Sequence, residues 1–258
     1  MGLAGIKIVL VEPAGPLNVG SVARVMKNFG LHLLVLVNPQ CDPLGTQAKQ
    51  MAVHAKDILE SAVSVATLPE ALQGCVKAIA TTGIDHDWQP PLENPRTALP
   101  WLLEESEKPV ALIFGREDRG LTNQELNYAQ RFIRIPTSPI YSSLNLATAV
   151  AICCYELSQY DAGNHRCDSA LSDAQKAKLP MSNYELAPLD VVEAYYQQLE
   201  SLLLNIGYLY RHTAASRMEK FRQLYNRAGL QPQEVAMLRG ILRQVEWALN
   251  SQSDRENL

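Results

Sequence analysis

The sequence predicts an α/β fold, a parallel sheet with helices on both faces followed by a small all-helical C-terminal extension. Three observations predict it. Several short runs are apolar at every position instead of at alternate ones, the pattern of strands buried on both faces. Up to residue 160 these runs alternate with segments of helical periodicity, the order of a parallel α/β sheet. Beyond a polar stretch with Gly, Asn, Ser, Asp and Pro at 161–187, only helical periodicity remains. The expected organisation is an α/β domain at 1–160, a linker at 161–187 and a helical extension at 188–258.

The elements follow in order. IKIVLVE (6–12) is the first strand. PAGPLNVGS has the Pro, Gly and Asn of a loop, and SVARVMKNF (21–29) is a helix stopped by Gly30. LLVLV (33–37) is a second buried strand, and an Ala-rich helical face spans about 46–60. SVAT and AIAT (78–81) are short strands separated by the helical turn PEALQG. The proline-rich residues 83–100 show little periodicity and are expected to form a long loop. VALIFG (110–115) is the clearest buried strand. TNQELNYA opens a helix with Thr122 and, three residues later, Glu125, the signature of a capping box. FIRI (132–135) is the last strand, and a buried helix running to Leu157 follows it. In the extension, Val192, Tyr195, Tyr196, Leu199, Leu202, Leu203 and Ile206 mark one helical stripe, and Leu238, Ile241, Leu242, Val245 and Leu249 another. Met218, Phe221 and Tyr225 mark a short helix between them.

Composition narrows the class. The chain has 258 residues, 47% hydrophobic and 19% charged, enough apolar mass for a sizeable core. No apolar run reaches the ~18 residues of a membrane helix, and MGLAGIKIVLVE fits a first strand better than a signal peptide. The five cysteines are irregularly spaced with no CxxC, which fits neither a disulfide framework nor a zinc site. A reducing, cytoplasmic setting is therefore expected, with no metal and no membrane. The formal net charge of −4 argues mildly against nucleic acid, but its distribution is uneven. Between Arg211 and Arg243, seven Lys and Arg face two Glu.

Familiar catalytic signatures are missing. GPLNVGS (15–21) has P-loop glycine spacing, but Ser21 stands where the phosphate-binding lysine belongs. No GxGxxG follows the first strand, and there is no HExxH or GxSxG. What remains is three polar clusters, each where a strand ends: Asn18 to Arg24, Phe114 to Leu121, and Pro136 to Asn145. Ligands of parallel sheets bind beyond the carboxyl ends of the strands, so the three loops can converge on one pocket. Taken singly, Asn18 and Ser143 can be helix caps, Gly115 and Gly120 turn glycines, and Arg116 and Glu117 a surface pair. The start of the last helix is unusual, because Ser142, Ser143 and Asn145 surround Leu144 where one polar cap would suffice.

NVGSVAR (18–24), FGREDRG (114–120) and SSLNLATA (142–149), in this order, resemble the motifs of the SPOUT superfamily of RNA methyltransferases. The likeness is to the TrmH-like group, which methylates ribose 2′-hydroxyls. FGREDRGLTNQEL, IYSSLNLA and the C-terminal MEKFRQLYNRA and LRGILRQVE look most like its TrmJ type, which acts on cytidine or uridine at position 32 of tRNA. The resemblance implies a C-terminal trefoil knot in the α/β domain, in which the final helix threads through a loop. It implies S-adenosyl-L-methionine as cofactor, held by Thr81, Thr82, Gly83, Gly115, Ile135, Ser143, Leu144 and Asn145. It assigns catalysis to Arg24, assisted by Asn18, Ser143 and Asn145. It implies a homodimer whose active site spans the interface, with Arg24 acting on cofactor bound by the other chain. It also turns the C-terminal cations into an RNA grip, with Arg24, Arg217, Lys220, Arg222 and Arg227 as the RNA-binding residues. The chain departs from the TrmJ type at TTGI (81–84), where TSAR is usual, and in the acidic loop DHDWQPP that follows. A ribose at another tRNA site or in rRNA, a catalytically inactive knotted RNA-binding protein, and a nucleotide-binding enzyme using GPLNVGS stay open at this point.

Overall fold

A computed structural model describes residues 3–83, 91–104, 108–138, 140–167 and 185–256. Most of the acidic DHDWQPP loop and of the polar 161–187 stretch lies outside the described residues. The chain divides into two compact units, Met1–Met181 and Ser182–Leu258.

The first unit is built on seven parallel strands: β1 (Ile6–Val11), β2 (Leu33–Val37), β3 (Val63–Val65), β4 (Lys77–Thr81), β5 (Leu92–Glu93), β6 (Val110–Phe114) and β7 (Arg131–Ile133). Their order is β3-β2-β1-β6-β4-β7-β5. Ile8 pairs with Leu34 on one side and Leu112 on the other, and Ile79 with Leu112, so the central strands align. Both faces of these strands are buried, which is why they carry Val, Ile and Leu without alternation.

Helices α1 (Pro16–Asn28), α2 (Thr46–Ala52), α3 (Lys56–Glu60), α4 (Leu68–Ala71), α5 (Pro95–Ala98), α6 (Pro100–Leu103), α7 (Asn123–Leu126) and α8 (Leu146–Cys167) complete the unit. Several differ from expectation, each for a physical reason. The helix expected at 21–29 begins at Pro16, because proline is preorganised for the first helical position. Asn18, Gly20 and Ser21 therefore lie on a helix and not in a loop. The helix expected over 46–60 is two helices, separated at Val53 by a backbone φ of 53°. Lys27 of α1 ties the break down through the His54 carbonyl at 2.8 Å and Asp57 at 2.7 Å. The long loop expected over 83–100 holds β5 and two helical turns. Pro95 and Pro100 each start a turn, and Asn94 caps the first by accepting from the Arg96 amide at 3.0 Å. The capping box at Thr122 and Glu125 is present as expected. Helix α8 runs past residue 160 to Cys167, and its Cys153 and Cys154 are buried, which pushes the Cys154 thiol up to about 12. No described helix is long and apolar enough to cross a membrane.

The second unit holds α9 (Leu189–Asn205), α10 (Ala214–Ala228) and α11 (Pro232–Glu256) around Tyr195, Tyr196, Leu199, Met218, Val235 and Leu242. Ala187, expected in the linker, is buried in this core, its amide donating to the Leu230 carbonyl at 2.8 Å.

Helices α1 and α2 meet at Gly20, where an added Cβ would sit 2.2 Å from the Ala48 carbonyl oxygen. Glycine inside a helix ordinarily destabilises by about 1 kcal/mol relative to alanine. Here Gly20→Ala is expected to reverse that sign and destabilise by about 1–3 kcal/mol, because two backbones must part. Thermal unfolding followed by circular dichroism checks it; an unchanged or raised midpoint contradicts the close contact.

Candidate active site

The carboxyl ends of β4, β6 and β7 and the start of α8 surround a cavity of about 350 Å³. Thr81, Thr82, Gly83, Gly115, Ile135, Ser143 and Leu144 all line it, so seven of the eight residues expected to hold a cofactor are brought together. Phe114, Ile133 and Leu146 add apolar wall, and Arg116, Glu117 and Asp118 add charge. Asn145 is not part of the lining. The Thr81 hydroxyl donates to the Ile113 carbonyl at 3.1 Å, which ties the end of β4 to β6.

The loop after β6 folds tightly on itself. A Cβ at Gly115 would lie 2.2 Å from the Gly120 carbonyl carbon and 2.3 Å from the Leu121 nitrogen, so only glycine fits. The Gly120 amide donates to the Arg116 carbonyl at 2.8 Å, and Gly120 itself takes a φ of 67°. Arg119 braces the loop from outside. It donates to Glu125 at the head of α7 and to Glu12 after β1, at 2.9 and 2.8 Å. Those Arg119 bonds, against a smaller opposing effect of burial, hold the Glu12 carboxyl below its ordinary value.

Glu117 is the residue whose role the sequence did not disclose. It does not pair with Arg116, whose Nε instead faces Asp118 at 2.9 Å. Its carboxylate accepts from the Ala14 and Gly15 amides, both at 3.0 Å, and from Asn18 Nδ2 at 2.8 Å. Gly15 has no side chain to cap α1, and this carboxylate does so from more than 100 residues away. Partial burial acts to raise the Glu117 carboxyl, but the Ala14, Asn18 and Gly15 donors outweigh it and hold the group below the ordinary 4.5. Asn18 passes the link on, because its Oδ1 accepts from Asn145 Nδ2 at 2.9 Å. Asn145 in turn caps α8, its Oδ1 accepting from the Ala147 amide at 2.9 Å. The chain Glu117–Asn18–Asn145 thus joins all three motifs; Asn145 is the cap of α8, while Ser142 and Ser143 line the cavity. The signal for Glu117 was its place in FGREDRG, two residues beyond the tight glycine.

Arg24 lies exposed on α1, away from the cavity lining, and forms no ion pair or hydrogen bond among the described residues. In the second unit Arg217, Lys220 and Arg227 are exposed. Arg222 corrects the expectation of an RNA contact. Its guanidinium is mostly buried, donates to both Glu193 oxygens and sits 4.6 Å from the Tyr196 ring centre, so it holds α10 to α9. Counting charges along the sequence could not distinguish this mostly buried, paired cation from the exposed ones.

Residues 5–155 match the SpoU rRNA Methylase family, and residues 190–256 match the C-terminal domain of the tRNA methyltransferase TrmJ. The chain is 40% identical over 243 residues to the tRNA (cytidine/uridine/adenosine-2′-O-)-methyltransferase TrmJ of Pseudomonas aeruginosa, covering 93% of each. It is 40% identical over 248 residues to the tRNA (cytidine/uridine-2′-O-)-methyltransferase TrmJ of Yersinia pestis, covering 95% of this chain and 92% of the other. The crystal structure of TrmJ from Z. mobilis superposes with a TM-score of 0.80 at 30% identity, over 94% of this chain and all of that one. A probable methylase family protein from Haemophilus influenzae superposes at 0.60 with 31% identity, over 97% of this chain and 99% of that one. With two of its motif loops lining one cavity and this match spanning more than half its length, the chain belongs to the SpoU rRNA methylase family.

Proposed function

We propose that the protein is an S-adenosyl-L-methionine-dependent tRNA methyltransferase acting on a ribose 2′-hydroxyl, with cytidine or uridine at position 32 as its target. The observation that carries this reading is the cavity at the carboxyl ends of the strands, lined by seven of the residues assigned to the methyl donor and tied together by Glu117, Asn18 and Asn145. The residues present fit that donor. The volume of about 350 Å³ lies in the range of small-ligand sites. The wall combines apolar Ile135, Leu144 and Leu146 with the hydroxyls of Thr82 and Ser143 and the bare backbone of Gly83 and Gly115. When bound, the donor supplies a methyl group on a positively charged sulfur that departs as a neutral thioether.

The protein then has to align the ribose and assist loss of one proton. Ser143, on the cavity wall, orients the reacting hydroxyl. Asn18 and Asn145 act as positioning residues, since the polar atoms of Asn145 are engaged by Asn18 and by α8. Arg24 is too basic to accept a proton. Its planar fork holds a neighbouring phosphate and stabilises negative charge developing on the 2′-oxygen, and the proton passes to a phosphate oxygen or to water.

Two further features belong to this reading. Arg24 stands off the cavity lining of its own chain, which supports a homodimer in which it serves the partner's cavity. Strand β7 lies beyond β4, yet Asn145 a short way on reaches Asn18 of α1, which supports a trefoil-knotted return of the chain across the site. The first unit, Met1–Met181, is the catalytic domain and the second, Ser182–Leu258, an RNA-binding extension in which Arg217, Lys220 and Arg227 meet phosphates.

Methyl transfer from radiolabelled S-adenosylmethionine to unmodified tRNA transcripts, with mapping of the label, tests the reading. Label on the ribose at position 32 is the expected result; label on a base, or none on any RNA, contradicts it. Arg24→Lys is expected to lower turnover at least about tenfold while leaving donor binding intact, because an ammonium cannot reproduce the fork. Full turnover in that variant rules the fork out. The lowered Glu117 pKa makes a separate prediction. Its stabilisation is complete above pH about 4.5 and is lost as pH falls through the depressed folded value. Glu117→Gln is therefore expected to lower the thermal midpoint at pH 7, with the difference from the unsubstituted protein shrinking below about pH 4. A difference that grows in acid gives the wrong sign.

A further inference from the structure

The connection between α9 and α10 carries an aromatic cluster that the methyl-transfer site does not use. Gly207 turns the chain at a φ of 75°, and Leu209 enters the helical core at 2% exposure, its amide donating to the Leu203 carbonyl at 2.9 Å. The residues on either side of that plug face outward, Tyr208 at 53% and Tyr210 at 58% exposure.

Both rings are held in place. Arg217 donates to the Tyr208 carbonyl at 3.1 Å and lays its guanidinium 5.7 Å from the Tyr208 ring centre. Tyr210 stacks with His212, the ring centres 5.9 Å and the planes 25° apart. Thr213 fixes the end of the segment, its amide donating to the Tyr210 carbonyl at 2.9 Å. The outward placement is not a shortage of interior, because Tyr195, Tyr196 and Tyr225 of the same unit pack on one another inside.

The surroundings are cationic. From Ile206 to Lys220 the chain carries Arg211, Arg217 and Lys220 against Glu219 alone, and all three cations are exposed. Open aromatic faces inside a cationic rim match the chemistry of an unpaired nucleotide, whose base stacks while its phosphate meets an arginine. A paired helix would offer the phosphates but no free base face, and an acidic protein surface would need the cations but not the rings. We infer that Tyr208 and Tyr210, with His212, form a stacking platform for unpaired nucleobases of the RNA substrate, which rests on the tRNA-methyltransferase reading above.

The full-length protein and an unmodified tRNA transcript test this. The double variant Tyr208→Leu/Tyr210→Leu removes the rings and keeps apolar bulk, whereas Tyr208→Phe/Tyr210→Phe keeps the rings. The leucine pair is expected to raise both Kd and KM for tRNA by about tenfold or more. Donor affinity, the thermal midpoint and the slope of log affinity against log salt stay the same, because no phosphate contact is lost. The phenylalanine pair is expected to retain tRNA affinity. Unchanged affinity in the leucine pair, or an equal loss in the phenylalanine pair, overturns the platform. A loss accompanied by a shallower salt slope assigns the segment to phosphate contact and overturns it as well. An unsubstituted protein that neither binds nor methylates tRNA overturns the enzymatic reading and the platform with it.

Discussion

The Glu117 carboxylate, accepting from two backbone amides ahead of α1 and from Asn18, is the interaction on which the arrangement of the site depends. A half-buried carboxylate is tolerated only where donors replace the water it loses. Here the donors belong to another motif, so satisfying the charge and assembling the site are one event. The position is favourable for a second reason, since the N-terminus of a helix stabilises negative charge. Remove the carboxylate and the Ala14 and Gly15 amides lose their partner, Asn18 loses its orientation, and Asn145 loses its anchor on α1.

Parallel topology supplies the setting for that contact. With β6 placed between β1 and β4, the loops after all three strands open on the same edge of the sheet. Gly115 lets the loop after β6 close on its own backbone, and Arg119 braces it against Glu12 and Glu125. The donors and acceptors that matter are therefore preorganised before any ligand arrives, which is the condition under which fixed dipoles assist a reaction most. Arg24 stands apart from this rigid framework, exposed on α1.

Much of this was legible from residues alone. Strands β2 and β6 announce themselves by unbroken apolar runs, and β1 and β4 by apolar runs with a lysine at or beside the start, because burial on both faces favours apolar residues throughout. The three motif clusters were legible as polar groups at strand ends, and Thr122 with Glu125 as a cap. Other features depend on distant partners and leave no local pattern. Strand β5 is two residues long and exists through pairing with β7, reinforced by the Glu93–Arg131 ion pair. The start of α1 resembles a loop because its cap comes from Glu117 and not from its own sequence. Arg222 looks like a free cation until Glu193, 29 residues away, is seen to claim it.

Glu117 and Asn145 act together through Asn18, although each bonds to Asn18 and not to the other. A double-mutant cycle on Glu117→Ala and Asn145→Ala, read as unfolding free energy and as S-adenosylmethionine affinity, tests it most directly. The network predicts non-additivity of at least about 0.5 kcal/mol, the second substitution costing less once the first has broken the chain. Strictly additive effects would mean that the two residues serve separate local caps, and would contradict the account.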